Sequence, residues 1–274
     1  MVRGALVGLC AALVVAAAAG CGGGGSDAPT TTIRQLRQFR VLFPEGFTRE
    51  QMAARAQAVA KIAVHESHRK VKLSGSSYAA ATAKPRVIAG FGSKKLPLEG
   101  FLFPDTYNFD RKTTSTQLVN VQLQEFTAKW ATMNLSYARS KKLTPYDVLT
   151  IASMIEKEAV APADRPKVAR VIYNRLHLGM TLGIDATIRY ALHIPGTKSL
   201  TQSELANPTP YNTRLHAGLP PTPIANPGLA SMQAAADPAK GDWLYFVAEP
   251  DKVHTFFTAS AQAFEQYKAT HGYG

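Results

Sequence analysis

Glu158, near the end of one predicted helix, is a carboxylate set in an apolar helical stripe, a position from which it could act in acid–base chemistry. Residues 145–159 begin with a proline, contain no other Pro and no Gly, and repeat apolar residues with helical periodicity. At about 100° per residue, Glu158 shares a face with Val148 and Ile155. Glu156 points roughly 160° away from that face. We therefore expect Glu158 to face the core or a cleft and Glu156 to face water.

This difference in environment predicts a chemical role for Glu158. Burial disfavours the ionised form of a carboxyl group and raises its pKa. A carboxyl that stays protonated near neutral pH can act as a general acid. An alternative is that Glu158 is a core carboxylate satisfied by an arginine or by backbone donors, because structural ion pairs also perturb pKa values.

The N-terminal residues have the pattern of an export signal. One positive charge precedes an apolar run, 5–19, that is short for a membrane span of about 20 residues. Small residues then lead into Cys21, as in a bacterial lipobox. We interpret residues 1–21 as a signal peptide, with Cys21 as the lipidated N-terminus of a protein on the outward face of the cell membrane. An uncleaved single-pass anchor is the main alternative.

Composition limits the function classes. Cys10 and Cys21 are the only cysteines, so the exported body can form neither a disulfide framework nor a cysteine-based metal site. The net charge of +12 indicates an anionic neighbourhood, such as lipid headgroups or cell-wall polymers. A generic solubilising charge explains it equally well. The cations are scattered and form no nucleic-acid-binding motif, so we expect no nucleic-acid partner.

The chain after the leader divides into three predicted parts. Residues 22–36 are rich in Gly, Ser, Thr and Pro and are interpreted as a flexible linker. Residues 37–84 are interpreted as a small accessory unit, a strand followed by a helix from about Arg49 to Val64. Thr48, three residues before Gln51, forms a capping-box pattern at the start of that helix.

Two further predictions concern the residues after that helix. We interpret His65 and His68 as part of a solvated helix end rather than a metal site, because their spacing is three and no third ligand is evident. Residues 73–84 are small and polar and are predicted to form a loop. Residues 85–274 alternate helical and strand-like segments and are predicted to form one α+β domain.

Several segments combine aromatic residues, turn residues and a few polar groups. Aromatic faces stack on the C–H surfaces of sugars, while amide and carboxylate groups bind the hydroxyls. Each segment could instead be core or a rigid loop. The segments are 98–107, 171–176, 210–213 with 218–228, and 244–248 with 254–256.

These motifs, in this order, support a resemblance to a known family. Leu98–Tyr107, the Glu-Lys-Glu triplet in 151–159, Tyr173–Leu176, Asp185–Tyr190, Tyr211–Thr213, Gly218–Pro221 and Tyr245–Val247 are similar to motifs of the endolytic murein transglycosylase (YceG-like, or MltG) family. The match covers about Arg40 to the C-terminus. It implies an α+β fold with a YceG-like catalytic domain, and a small N-terminal strand-helix accessory unit that is a remnant of a LysM-like unit.

The resemblance also implies a reaction and its residues. The family cleaves the β-1,4 bond between N-acetylmuramic acid and N-acetylglucosamine within peptidoglycan strands, leaving a 1,6-anhydromuramoyl end, and needs no cofactor. The second acid of the Glu-Lys-Glu triplet, Glu158, corresponds to the family's catalytic residue. Peptidoglycan is the implied partner, with cell-wall synthases suggested by the family alone. The candidate substrate-binding residues are Glu99, Asn174, Asp185, Tyr211 and Asn212.

The chain also departs from the family. Its members usually have a longer N-terminal region, and a Gln-Ser/Thr-Asp-Pro-Thr stretch common among them is Gly183–Thr187 here. Two rival functions therefore stay open: a non-catalytic peptidoglycan-binding lipoprotein, and a hydrolase that activates water with Glu99 or Asp185. A serine hydrolase is disfavoured, because Ser153 lies inside the predicted helix without a Gly-x-Ser-x-Gly elbow.

Overall fold

A computed structural model of the chain describes residues 36–272, and the elements named below are those of this range. Helices and short strands are mixed, which confirms the predicted α+β class. The strands are β1 Phe39–Leu42, β2 Thr106–Phe109, β3 Tyr245–Ala248 and β4 Thr255–Thr258. The helices are α1 Arg49–Ser67, α2 Gly75–Ala83, α3 Ser115–Trp130, α4 Ser136–Ser140, α5 Pro145–Glu158, α6 Arg165–His177, α7 Asp185–Ala191, α8 Gln202–Leu205, α9 Leu229–Ala236 and α10 Ala261–Thr270.

The strands form two separate antiparallel pairs. β1 pairs with β2, with Phe39 opposite Phe109, and β3 pairs with β4, with Tyr245 opposite Thr258. The β1–β2 pair buries alternate residues, as expected where one face of a sheet packs on the core. The pairing places β1, near the start of the described range, beside β2, which follows the loop after Glu99.

Local capping signals determine where α1 and α5 begin. At α1 the hydroxyl of Thr48 accepts the N–H of Gln51, whose side chain accepts the N–H of Thr48, as predicted. α1 then runs to Ser67, three residues beyond the predicted end. At α5, Thr144 and Asp147 form a second capping box, and Pro145 occupies the first helical position. The predicted helix at 145–159 is confirmed to within one residue.

The prediction of a loop at 73–84 was wrong, because α2 occupies most of it. Ser74 caps the helix by accepting the N–H of Ser77. Gly75 lies so close to α1 that an added Cβ would come within 2.7 Å of the Ala53 carbonyl oxygen. Small residues that seemed typical of a loop therefore serve close packing between helices, a tertiary effect that overrides local composition.

α5 is the central helix of the fold. Eight consecutive residues of it, Val148 to Ile155, are buried, because α6, α7 and α9 pack around it. Burying a side chain such as Ile151 or Leu149 stabilises the fold by about 1.5–3 kcal/mol. The end of α5, where the Glu-Lys-Glu triplet lies, is thus attached to the most firmly packed element of the protein.

Residues 36–272 belong to one compact unit, in which β1 and α1 share a hydrophobic core with the later elements. The boundary between residues 84 and 85 stays a prediction. The predicted signal peptide, its Cys21 and nearly all of the linker 22–36 lie outside the described residues. Within the described range, no helix is both long and apolar enough to cross a membrane.

Candidate active site

Glu158 is the last residue of α5 and is half-buried. The backbone N–H of Ala186, in the first turn of α7, lies close enough to the Glu158 carboxylate to lower its pKa. In the part of the chain that the structure describes, no ion pair joins Glu158 to a basic side chain. The side chain is therefore neither enclosed in the interior nor neutralised by an arginine.

The surroundings of Glu158 favour its protonated form. Burial is the largest influence and, with the negative charge of Asp185, raises the pKa of Glu158 to about 7. The nearby N–H of Ala186 and the charges of Arg189 and Arg214 oppose this rise. A carboxyl with a pKa near 7 is protonated in a large fraction of molecules at neutral pH, so it can give up a proton and take one back.

Glu156 does more than face water, because its carboxylate also accepts a backbone hydrogen bond. It is half-buried, and its Oε2 accepts the N–H of Gly228 at 3.0 Å, immediately before α9. Glu156 therefore faces water only in part, because the buried amide at the start of α9 needs an acceptor. The first acid of the triplet anchors the fold, while the second borders the cleft described next.

A cleft of about 600 Å³ lies next to the contact between Glu158 and Ala186. Lys157 and Ala186 both line it, so Glu158 lies at its edge. The start of α1, the end of α5, α7 and two loops supply the walls. The lining residues are Thr48–Gln51, Glu99, Lys157, Ala186, Arg189–Ala191, His193–Gly196, Thr209–Tyr211 and Ile224.

Glu99 contributes a second carboxyl to the cleft wall. It is 4% exposed and accepts hydrogen bonds from the N–H of Arg49 at 3.0 Å, from Nδ2 of Asn226 at 2.8 Å and from the hydroxyl of Tyr190 at 3.2 Å. Burial raises the pKa of Glu99 to about 7, against these donors and the charge of Arg49. Glu99 thus connects α1, α7 and the loop before α9 at one point of the wall.

Two tyrosines form an aromatic part of this wall. The rings of Tyr190 and Tyr211 lie 5.3 Å apart, and the hydroxyl of Tyr211 is 2.8 Å from that of Thr222. Their faces are of the kind that stacks on sugar rings. Asp185 lies next to the acid rather than in the lining: it begins α7, adjacent to Ala186, and its Oδ1 accepts from Arg214 at 2.6 Å.

The structure places the two predicted asparagines away from the lining of this cleft. The amide of Asn174 donates to the carbonyls of Gly241 and Trp243, and the buried amide of Asn212 donates to those of Leu205 and Asn207. Both side chains hold loops in place. Of the predicted residues, the structure therefore brings together Glu158, Glu99, Asp185 and Tyr211, whose roles toward a substrate stay predictions.

Sequence reasoning missed three cations in the cleft wall: Arg49, Lys157 and Arg189. Lys157 lies between the two glutamates, and this adjacency was an available signal. Arg49 and Arg189 lie on helices distant in sequence, and no local pattern brings them together. Among residues 36–272 there is also no His, Cys, Asp and Glu cluster that could hold a metal ion, including around His65 and His68.

The chain is similar in sequence to one protein family and to two endolytic murein transglycosylases. The YceG-like family matches residues 26–270. The chain is 41% identical over 155 residues to an endolytic murein transglycosylase of Bacillus subtilis strain 168, covering 57% of this chain and 43% of that protein. It is 31% identical over 240 residues to an endolytic murein transglycosylase of Streptococcus pneumoniae strain R6, covering 84% and 40%.

A solved structure is similar as well. The crystal structure of a yceG-like protein from Listeria monocytogenes superposes with a TM-score of 0.68 at 31% identity, covering 84% of this chain and 76% of that one. The chain spans about two fifths of the length of the curated relatives named above. The family match nevertheless extends over nearly all of the described fold, including the cleft. This chain therefore belongs to the YceG-like family.

Proposed function

We propose that this chain is an endolytic lytic transglycosylase, a lyase that cleaves the β-1,4 bond between N-acetylmuramic acid and N-acetylglucosamine within peptidoglycan strands. The observation that carries the proposal is the position of Glu158, a half-buried carboxyl with a pKa of about 7 at the edge of a cleft with aromatic walls. The names of the two endolytic murein transglycosylases support the same activity.

The reaction requires one carboxyl that changes its role. Protonated Glu158 gives its proton to the glycosidic oxygen as the bond from that oxygen to C1 of the muramoyl residue breaks. The muramoyl C6 hydroxyl then attacks C1, and its proton passes to the Glu158 carboxylate. The products are a free 4-hydroxyl on one fragment and a 1,6-anhydro ring on the other. The acid ends as it began, and no water is consumed.

The surroundings of Glu158 suit both halves of this cycle. Burial and Asp185 favour the protonated acid that begins the reaction, and the Ala186 N–H stabilises the carboxylate that forms during it. Tyr190 and Tyr211 supply faces for stacking a sugar ring. Glu99 is a positioning candidate, because its three donors hold it in one orientation at the wall.

A hydrolase is the second candidate, because Asp185 lies close enough to raise the pKa of Glu158 and carries a carboxylate that could activate water. Asp185 forms an ion pair with Arg214 at 2.6 Å. A hydrolase of this kind would leave a reducing muramoyl end, one water molecule heavier than the anhydro end.

One digest distinguishes the candidates. The protein is incubated with nascent, uncrosslinked glycan, and the fragments are weighed by mass spectrometry. Anhydro ends within the strand support the lyase; reducing ends establish the hydrolase. Absence of cleavage, with retained binding to the glycan, would establish the non-catalytic binding protein. Glu66→Gln, an exposed glutamate at the end of α1, is the matched control for any effect of Glu158→Gln.

We further propose that the protein acts at the outer face of the cell membrane, tethered by lipid on Cys21 or by a single-pass anchor, and that it limits glycan strand length together with cell-wall synthases. Composition and the export-like N-terminus support this location. Lipid labelling of the full chain and of Cys21→Ser tests it. Equal labelling of both proteins would exclude Cys21 as the attachment site.

A further inference from the structure

Three cations line the cleft, and none is paired with a carboxylate among the described residues. They are Arg49 at the start of α1, Lys157 beside Glu158, and Arg189 on α7. The guanidinium of Arg189 is already used, because it donates to the carbonyl oxygens of Pro195 and Lys198. Arg49 and Lys157 are therefore the two cations in this wall that are free to meet a ligand.

Both side chains have donors left over. Lys157 makes one hydrogen bond, to the carbonyl of Gly46 at 3.2 Å, whereas an ammonium group carries three donors. Arg49 is half-buried, and in the described range its guanidinium makes no hydrogen bond or ion pair. An arginine fork and an ammonium group that line the same cleft are suited to a carboxylate.

Among the described residues, neither acid in the lining forms an ion pair with Arg49 or Lys157, although the charge of Arg49 lowers the pKa of Glu99. Glu50 faces His193 at 3.1 Å at the exposed rim, and the buried Glu99 is already held by its three donors. A cleft with an excess of one charge concentrates its field on whatever enters. The cleft therefore favours a ligand that carries negative charge.

The peptidoglycan substrate of the proposed function carries negative charge on its peptides. The sugar units carry hydroxyl and acetamido groups and are neutral, whereas the peptide on the lactyl group of each muramoyl residue carries carboxylates. A phosphate on the muramoyl C6 is excluded at the reacting sugar, because formation of the anhydro ring needs a free C6 hydroxyl. Lys157 lines the cleft and is next to Glu158 in the chain, so we place an anion bound there near the sugar that reacts.

We propose that Arg49 and Lys157 form a subsite for a carboxylate of the muramoyl peptide, so that this chain acts on peptide-bearing strands in preference to denuded ones. The proposal rests on the proposed function for its substrate. It assigns the start of α1 to substrate recognition and not only to the accessory part of the fold.

The test compares three forms of one uncrosslinked glycan: peptide-bearing, denuded by an amidase, and peptide-bearing with its carboxylates amidated. For the wild-type chain, kcat/KM is expected to be roughly tenfold or more higher on the first form, because a hydrogen bond to a charged group contributes about that factor. Arg49→Gln and Lys157→Gln are expected to reduce this preference toward one, mainly through KM.

Two matched controls remove the same charge outside the cleft. Arg69→Gln and Lys61→Gln change exposed cations at the end of α1 and on its surface, and both are expected to keep the preference. Equal wild-type activity on peptide-bearing and denuded glycan would overturn the proposal. Cleavage of the amidated form as fast as the charged form would also overturn it, because recognition would then not depend on charge.

Binding measurements test the carboxylate subsite independently of the proposed lyase activity. Affinities of the Glu158→Gln protein for the peptide-bearing and denuded strands need no turnover. Tighter binding of the peptide-bearing strand, lost on adding Arg49→Gln, supports the subsite even if the wild-type chain cleaves neither strand. Equal binding of the two strands rejects the subsite even if the wild-type chain produces anhydro ends.

Discussion

The backbone N–H of Ala186 lies close enough to the carboxylate of Glu158 to lower its pKa, so the end of α5 meets the start of α7 at the acid itself. Buried Thr213 holds that donor in place, because its hydroxyl accepts the N–H of Ile184 at 3.0 Å and lies 3.1 Å from the hydroxyl of Thr187. The acid is thus positioned by two elements, one of which belongs to the firmly packed core.

We expect Glu158→Gln to lower kcat/KM on uncrosslinked glycan by about 10²–10⁴-fold, the usual contribution of a general acid. The fold should persist, because Gln has almost the same size and shape as Glu and Glu158 forms no ion pair among the described residues. Glu156→Gln keeps an acceptor for Gly228 and should retain most of the activity. The measurement is the yield of anhydro ends per folded molecule. Full turnover by Glu158→Gln would remove the acid from the mechanism.

The reaction should slow as the pH rises through about 7. Glu158 must be protonated to begin the reaction, and its pKa is raised to about 7 by burial and by Asp185. Above that pH, kcat/KM is expected to fall about tenfold per pH unit, because the free enzyme loses its acid. A pH–rate profile measured on one glycan preparation checks this. A rate that stays constant well above pH 7 would contradict it.

The free energy of unfolding should also fall as the pH rises, because of Glu99. Its pKa is about 7 in the folded chain and 4.5 ordinarily, so between these values the folded state binds more protons than the unfolded state. The contribution to the free energy of unfolding is therefore fully present below about pH 4.5 and is lost as the pH rises through 7. Urea denaturation across this range should show a decline that is weaker in Glu99→Gln.

Replacing Glu99 by Ala should be far more harmful to stability than replacing it by Gln. Ala leaves the Arg49 N–H, the Asn226 amide and the Tyr190 hydroxyl without their acceptor. The loss is largest at the buried Asn226 amide, where an unpaired donor costs about 1–3 kcal/mol. Gln retains an acceptor oxygen for part of this set. The comparison is made by urea denaturation at one pH. Similar unfolding midpoints for the two variants would show that these hydrogen bonds contribute little.

Gly100→Ala and Gly92→Ala form a matched pair of variants. Both glycines have positive φ, +90° and +84°, so an alanine at either position is strained. An added Cβ at Gly100 would also come within 2.7 Å of the Pro223 Cβ, whereas at Gly92 it meets no atom within 4 Å. We expect Gly92→Ala to cost about 1–2 kcal/mol, and Gly100→Ala to cost clearly more. Equal melting temperatures would contradict this packing of Gly100 against Pro223.

The sequence alone determined what local physical chemistry controls. Helical periodicity with Pro145 at its start predicted α5 and selected Glu158 on its apolar face, and the Thr48–Gln51 box predicted the start of α1. These signals involve residues within one or two turns of each other, so no tertiary information was needed. The order of motifs along the chain was enough to reach the family.

Only the tertiary structure decided which distant residues share the cleft. It placed Glu99, Tyr211 and Arg49 in one wall, and it bonded Asn174 and Asn212 to backbone carbonyls instead. It also revealed α2, because Gly75 packs against another helix rather than forming a turn. The physical reason is common to all three outcomes: hydrogen-bond partners and packing neighbours far apart in sequence become defined only when the chain closes on itself.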